Sequence, residues 1–220
     1  MSEKLKIGLI IGAHEFDSYM FDEMLYAMED ITFYPMIMRS FIYNVGHTNE
    51  KMDGFLFFNF EQEADDPKSP CGNSDLLPED TLYRLGHGGK GLFFLHHALT
   101  AYMDCAYIDR VLGIPGRKLD SYEHNVPMKI HVADPGHPIM QGMEDFEVID
   151  ETYAISKPTD YEDLLLTTDN AKSSPAIMWT RKQDKSRLVC LALGHDDRAY
   201  TNPFFVRALH QGILWSCHKI

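Results

Sequence analysis

The sequence has 220 residues, of which 45% are hydrophobic and 12% aromatic, and this composition excludes a wholly disordered chain. The formal net charge of −13 argues against binding to nucleic acid or to an anionic membrane surface, because both require clustered cations. Four cysteines without a Cys-X-X-Cys pair indicate neither a disulfide framework nor a cysteine zinc site. No apolar run reaches the ~20 residues of a membrane helix. We therefore expect a cytoplasmic protein.

The first half of the sequence alternates apolar runs with amphipathic stretches, which is typical of a parallel sheet covered by helices. Residues 7–11 form a continuous apolar run that ends in glycine, as in a strand buried on both faces. Residues 16–30 place methionines and an alanine at helical spacing, opposite acidic residues. The same patterns predict further strands at 33–38, 54–58 and 91–95 and a helix that begins at 77.

The second half of the sequence, after residue 116, changes to short strand patterns separated by turns. The predicted elements are strands at 128–132, 147–149 and 164–167, a hairpin of 177–180 and 188–193, and a closing helix at 203–215. Residues 59–76 form a polar, acidic stretch, which we interpret as a loop insertion, with a lid over a site as the alternative. No linker separates the two halves, so we predict a single domain over 1–220.

Several common catalytic and cofactor motifs are missing from the sequence. It has no GxxxxGK[ST] segment and no GxGxxG segment after the first strand, which argues against an NTPase and a dinucleotide-dependent dehydrogenase. It also has no GxSxG segment, which argues against a serine hydrolase of the α/β type. We therefore expect no nucleotide cofactor.

Three histidines lie at most three residues after the end of a predicted strand. His14 comes after the first strand, His96 after the strand at 91–95, and His195 after the strand at 188–193. Ligands of an open α/β sheet bind outside the carboxyl ends of the strands, so these imidazoles are candidates for a shared site. A neutral imidazole suits a metal ligand or a general base. The alternative for each of them alone is a hydrogen-bonded structural histidine.

A pair of carboxylates follows the predicted strand at 147–149. Neighbouring residues of an extended segment point to opposite faces, so only one of Asp150 and Glu151 is expected to enter a cleft. We favour Glu151, because it shares its face with Tyr153. His124, in irregular chain, is a weaker candidate, and two solvated acids in a loop are the alternative for the pair.

Short segments along nearly the whole chain resemble motifs of the ThuA-like (trehalose utilisation) proteins. Residues 88–98 are similar to the GGGxxGxHxA motif of that family, and residues 131–139 to its VxDPxHPI motif. The other matching segments are 12–16 (GAHEF), 150–153 (DETY) and 192–195 (ALGH), with 121–124 at the place of a further family histidine. They occur in the family's order.

The resemblance implies a class I glutamine amidotransferase-like, flavodoxin-like fold: a doubly wound α/β structure whose mostly parallel sheet carries helices on both faces. His96 stands where amidotransferases of this fold carry a nucleophilic cysteine, so glutaminase activity is not expected. The family is linked to sugar catabolism, often beside oxidoreductases that make 3-keto sugars.

We predict an enzyme of carbohydrate metabolism that acts on a sugar or 3-keto-glycoside by hydrolysis, isomerisation or a lyase step. Its partner would be a small-molecule carbohydrate, and a homo-oligomer stays open. The predicted catalytic residues are His96, His195 and Glu151. The predicted substrate-binding residues are His14, His124, Tyr122 and Tyr153. The predicted ligands of a divalent metal, zinc or similar, are His14, His96, His195 and Glu151.

Three alternatives remain open from the sequence. The same histidines can act as acids and bases without a metal. The domain can also be a non-catalytic sugar-binding or regulatory module. Finally, the many methionine and phenylalanine residues, 12 and 13 of them, would suit a structural protein that uses them for assembly.

Overall fold

A nine-stranded sheet runs through the described part of the chain. The computed structural model describes residues 3–44, 46–61, 78–103 and 105–220, with 78–80 described as backbone only. The strands are β1 (Leu5–Gly12), β2 (Ile31–Met36), β3 (Gly54–Asn59), β4 (Gly91–Leu95), β5 (Leu119–Val132), β6 (Phe146–Ile155), β7 (Leu164–Thr167), β8 (Ala176–Gln183) and β9 (Ser186–Leu191). From residue 62 onward, the predicted acidic insertion lies outside the described residues.

The sheet has a parallel and an antiparallel half. Its strand order is β2-β1-β3-β4-β9-β8-β7-β5-β6. The first five strands in this order pair in parallel, and the remaining pairings are antiparallel. The apolar runs of β3 and β4 are buried along their whole length, as expected for central strands. This arrangement brings the carboxyl ends of β1, β4 and β9 to one edge.

Helices cover both faces of the sheet. Alternate strand residues belong to two separate hydrophobic clusters, one with residues of α1 (Ser18–Tyr26) and α6 (Pro203–Ser216). The other contains residues of α2 (Met38–Tyr43), α3 (Pro78–Gly88) and α4 (Ala106–Leu112). The predicted fold class is confirmed. The short helix α5 (Asp197–Tyr200) contacts β6.

Several predicted boundaries were wrong, and those of β5 and β6 bear on the site. β6 continues to Ile155, so Asp150, Glu151 and Tyr153 lie inside a strand rather than after one. β5 already begins at Leu119, so His124 lies in a strand rather than in irregular chain. The two strands extend because they pair with each other, with two irregularities in the register. Long-range pairing therefore overrides the loop-like composition of 120–125.

No helix in the described ranges is long and apolar enough to cross a membrane.

Candidate active and cation-binding site

His96 lies at the turn between β4 and a short 3-10 helix (His96–Leu99). Its side chain is fully buried, and its backbone is left-handed at φ 49°, a strained conformation for a residue with a side chain. The Nδ1 atom lies 2.7 Å from the carbonyl oxygen of Ala192. A carbonyl oxygen only accepts, so Nδ1 carries the proton. The Nε2 atom therefore faces the other members of the site.

His195 follows β9, on a loop that Asp150 holds in place. The carboxylate of Asp150 accepts hydrogen bonds from the backbone N–H groups of Gly194 (2.7 Å), His195 (2.9 Å) and Glu151 (2.8 Å). Asp150 is 1% exposed, and this burial raises its pKa. Gly194 has φ 121°, which only glycine adopts readily. The loop that carries His195 is therefore held by Asp150. The side chain of Asp150 points to the opposite face of β6 from that of Glu151.

Glu151 places its two carboxylate oxygens toward different histidines. Its Oε2 atom lies 3.1 Å from Nε2 of His96 and 3.4 Å from Nδ1 of His195, whereas Oε1 lies 3.2 Å from Nδ1 of His124. Burial works against ionisation, but hydrogen bonds with His195 and His96 outweigh it and lower the pKa of Glu151. The hydrogen bond with Glu151 in turn raises the pKa of His195. The carboxylate is thus the negative centre of the site.

The hydroxyl group of Tyr153 contacts three members of the site. It donates to Oε2 of Glu151 at 2.6 Å and lies 2.7 Å from Nδ1 of His97 and 3.0 Å from Nε2 of His96. A phenol has one proton, so Tyr153 cannot donate a hydrogen bond to Glu151 and to His96 at the same time. Tyr153 is 5% exposed, and its ring stacks on His96 with centroids 4.8 Å apart. The ring predicted to contact a sugar is therefore turned toward the protein.

Three potential ligand atoms converge at this point. The Nε2 atom of His96 lies 3.4 Å from Nδ1 of His195, which completes a triangle with Oε2 of Glu151. Ligand atoms about 2.0–2.2 Å from a tetrahedral zinc ion lie roughly 3.3–3.6 Å apart. The two distances to Nδ1 of His195, both 3.4 Å, match this range, and the 3.1 Å between Nε2 of His96 and Oε2 of Glu151 is slightly shorter. A proton or a cation is needed to relieve the repulsion between the acceptors. Two imidazoles and one carboxylate are ligands that suit zinc.

His97, which the sequence did not single out, takes the place expected for His14. Ligand atoms of His96, His97, Glu151 and His195 all lie within 4.8 Å of one another, the one such group among the residues that the structure describes. Burial, reinforced by the neighbouring imidazole of His96, lowers the pKa of His97 strongly. The signal in the sequence was the His96-His97 pair itself, since a strained turn can direct both rings into one site.

His14 lies beside the cluster, but both of its ring nitrogens face away from the triangle. Its Nδ1 atom is 2.8 Å from the carbonyl oxygen of Glu15, and its Nε2 atom is 3.3 Å from that of Phe58. The ring packs edge-on against His97, with centroids 4.0 Å apart. Burial lowers the pKa of His14. Its geometry is that of a ring that supports His97.

His124 and Tyr122 form the exposed side of the site. The side chain of His124 is 51% exposed, and its ring lies 4.9 Å from that of His195. Tyr122 is 57% exposed, with its ring edge-on to His124 at 5.6 Å. Both stand on β5, opposite the β6 segment that carries Glu151. They are the members of the predicted substrate-binding set that a molecule arriving from solvent meets first.

Comparisons with known proteins agree with the family motifs in the sequence. Residues 76–216 match the family model described as ThuA, trehalose utilisation. A ThuA-like protein from Parabacteroides merdae superposes with a TM-score of 0.74 at 16% identity, covering 98% of this chain and 90% of that one. A ThuA-like protein from Bacteroides uniformis gives 0.69 at 17% identity, covering 98% and 93%.

A more distant fold relative carries a different description. A protein described as a GMP synthase component from Thermoplasma acidophilum superposes with a TM-score of 0.62 at 10% identity, covering 99% of this chain and 96% of that one. At such identities the likeness concerns the fold alone. No curated protein matches the sequence significantly.

Proposed function

We propose, from the premise that this chain belongs to the ThuA (trehalose utilisation) family, that it is an enzyme acting on a sugar or 3-keto-glycoside at a divalent-cation site. Membership of the family connects the chain with carbohydrate metabolism. The observation that carries the proposal is the triangle of His96 Nε2, Glu151 Oε2 and His195 Nδ1, with sides of 3.1, 3.4 and 3.4 Å. The expected cation is zinc or a similar divalent metal.

The surroundings of the three ligands support a cation site. Metal-bound histidines commonly donate their second ring N–H to a carbonyl or carboxylate group, as His96 does to Ala192. Metal-bound carboxylates commonly accept a further hydrogen bond, as Glu151 does from Tyr153. These contacts fix the ring tautomer of His96 and the position of Oε2 before any cation binds.

The remaining residues provide binding and proton transfer. A bound divalent cation supplies Lewis-acid polarisation of a sugar carbonyl or lowers the pKa of a water molecule. His124, half-exposed and 3.2 Å from Oε1 of Glu151, would exchange a proton with the substrate at its Nδ1 or Nε2 atom. Tyr122 would cover the apolar face of a sugar ring. Such a set suits hydrolysis, isomerisation or a lyase step next to a carbonyl group.

Acyl transfer is not part of the proposal. The turn after β4 presents His96 rather than a thiol, and the free cysteines within the described ranges lie elsewhere. Burial in the core raises the pKa of the Cys190 thiol strongly, so that it is a poor nucleophile. We therefore infer that this chain does not act as a glutaminase.

The proposal is tested by product formation with and without divalent metals. Trehalose, glucose and their 3-keto derivatives are incubated with the EDTA-treated protein and with the protein reloaded with Zn²⁺, Mn²⁺ or Co²⁺. We expect consumption of at least one 3-keto sugar by the reloaded wild type and none by Glu151→Gln. His131→Gln, a histidine of β5 that hydrogen-bonds Asp145, is the matched control and should keep the activity.

Two results would contradict the proposal. If no sugar is consumed with any metal while sugars still bind, the domain is a binding module rather than an enzyme. If consumption survives EDTA at full rate, the histidines act without a metal.

A further inference from the structure

His124 lies in a β-bulge of β5. In the register of the β5–β6 pair, His124 and Asn125 stand together opposite the single residue Glu151. Such a bulge takes its extra residue out of the ladder of backbone hydrogen bonds and changes the direction of its side chains. Asn125 has φ 59°, the left-handed conformation that asparagine tolerates better than most residues. Neither the family match nor the proposed function assigns a role to this bulge.

The bulge directs the ring of His124 onto Glu151. The Nδ1 atom of His124 lies 3.2 Å from Oε1 of Glu151, and the ring lies 4.9 Å from that of His195. An ionised carboxylate only accepts hydrogen bonds, so Nδ1 of His124 carries a proton. This contact leaves Nε2 as the nitrogen that can exchange a proton with a substrate.

Arg198, on the short helix α5, holds the bulge from outside. Its guanidinium group donates a hydrogen bond to the side-chain oxygen of Asn125. Its Nε atom and its backbone N–H group both donate to the carboxylate of Asp196, each at 3.0 Å. Burial works against ionisation of Asp196, but the hydrogen bonds with Arg198 outweigh it and lower the pKa of Asp196. The guanidinium group is therefore fixed on α5 and presents one donor to the bulge.

The two contacts of Arg198 join the chain that follows two histidines of the site. Asn125 directly follows His124, and Asp196 directly follows His195. The loop of His195 is fixed separately, because both its backbone N–H and its carbonyl group make hydrogen bonds with side chains. The bulge interrupts the ladder of its strand, so it gains more from an outside contact. We therefore expect the loop to position the bulge rather than the reverse.

We propose that Arg198 is a positioning residue, which sets the ring of His124 against Glu151 by holding Asn125. The proposal rests on the proposed function and assigns the proton transfer in it to the Nε2 atom of His124. Without the guanidinium group, Asn125 is free to turn, and Nδ1 of His124 no longer faces the carboxylate. Arg198 itself needs no contact with the substrate or with the cation.

The test locates the ring proton of His124. Nitrogen NMR of isotope-labelled histidines, at about pH 8.5 and thus above the ordinary histidine pKa, distinguishes rings protonated at Nδ1 from rings protonated at Nε2. The signal of His124 is identified by its loss in His124→Gln. We expect the proton at Nδ1 in the wild type and its loss from Nδ1 in Arg198→Met. The control Arg207→Met removes an arginine of α6 that bonds the Gly142 carbonyl, and it should resemble the wild type.

Two substitutions of Asn125 separate its side-chain contact from its backbone conformation. Asn125→Gly keeps the left-handed backbone and removes the acceptor, so its NMR spectrum should resemble that of Arg198→Met. Asn125→Asp keeps an acceptor for the guanidinium group and tolerates the same backbone, so its spectrum should resemble that of the wild type. These two variants also decide the question if Arg198→Met fails to fold.

Kinetics of the zinc-loaded protein test the assignment of the proton transfer. Arg198→Met should lower kcat for a 3-keto sugar by at least about tenfold, since a positioned acid or base contributes roughly 100- to 10,000-fold. Its zinc affinity should change by less than about threefold, because the guanidinium group bonds Asp196 and Asn125 rather than the ligands.

Three results would overturn the proposal. If Arg198→Met keeps the proton at Nδ1, or if Arg207→Met loses it as well, Arg198 does not position His124. If the proton leaves Nδ1 while kcat stays the same, His124 does not transfer the proton. If the wild type converts no sugar with any metal, the proposed function fails, whereas the NMR comparison still decides whether Arg198 positions His124.

Discussion

Two buried polar clusters of this molecule differ in how completely their hydrogen bonds are satisfied. One surrounds Arg117, between α4 and β5, and the other surrounds Glu151 at the carboxyl edge of the sheet. Arg117 is 4% exposed and Glu151 is 5% exposed, so burial does not distinguish them. The difference lies in the balance of donors and acceptors.

The Arg117 cluster pairs donors with acceptors. The guanidinium donates from Nε to Asp109 at 3.0 Å, from Nη1 to the Leu99 carbonyl at 2.7 Å, and from Nη2 to the carbonyls of Ala101 and Tyr102, both at 2.8 Å. The carbonyls belong to the chain that leaves the 3-10 helix after His96. The completed network therefore fastens the segment that follows the site.

The atoms of the Glu151 cluster approach one another so closely that a proton or a cation must lie between them. The single proton of Tyr153 goes to Glu151, and the proton of His96 goes to Ala192, which leaves Nε2 of His96 facing Oε2 of Glu151 at 3.1 Å. Without such a proton or cation, folding gains nothing from this arrangement, because acceptors that face each other in a buried site cost free energy. A complete buried network serves stability, whereas a carboxylate and imidazoles that need a proton or a cation between them suit a binding site.

The largest expected effect is on stability, from Arg117→Met. The substitution removes the cation that pairs with the buried Asp109 carboxylate, which keeps the backbone N–H of residue 117, and it removes the guanidinium donor of the Leu99 and Ala101 carbonyls. This loss should cost about 3–5 kcal/mol of unfolding free energy. Urea denaturation measures this loss, with the exposed Lys118→Met as control. A loss below about 1 kcal/mol would mean that the network relaxes or admits water, and the contrast between the clusters would then disappear.

Glu151→Gln should have the opposite effect to Arg117→Met: a large loss of cation affinity and a small loss of stability. We expect cation affinity to fall by more than about 100-fold, since even outer-shell losses cost 10–100-fold. The metal-free protein should lose less than about 1 kcal/mol of stability, because the amide group can donate a hydrogen bond to an imidazole lone pair. Competition with a chromogenic chelator and urea denaturation give the two numbers. A large stability loss without a change in affinity would assign Glu151 a structural role.

Tyr153→Phe should weaken cation binding by about tenfold, because Glu151 loses the hydrogen bond that orients Oε2. The same competition assay measures this effect. Tyr122→Phe is the matched control, since its hydroxyl group stands at the exposed rim. Equal effects of the two substitutions would show that the contact between Tyr153 and Glu151 does not matter for binding.

The smallest effect is expected for His14→Gln, which should change cation affinity by less than about threefold, whereas His97→Gln should lower it about tenfold. The reason is that both nitrogens of His14 face carbonyl groups, while a ring nitrogen of His97 lies with the ligand atoms. A larger effect of His14→Gln than of His97→Gln would contradict this assignment and would support His14 as a metal ligand, as expected from the sequence.

The sequence was most informative where local patterns decide the structure. Buried apolar runs such as 91–95 predicted the central strands, and strand alternation predicted that Glu151 and Tyr153 share a face, as their 2.6 Å hydrogen bond confirms. The polar segment 120–125 gave no strand signal, because its conformation comes from pairing with β6. The role of Asp150 was missed for the same reason, and that of His97 because it depends on the left-handed backbone of His96.

A crystal structure of the zinc-loaded protein, with anomalous diffraction recorded at the zinc edge, is the most direct measurement. It should show one ion about 2.0–2.2 Å from His96 Nε2, Glu151 Oε2 and His195 Nδ1. An anomalous peak elsewhere, or none at these three atoms in zinc-saturated crystals, would contradict the cation site.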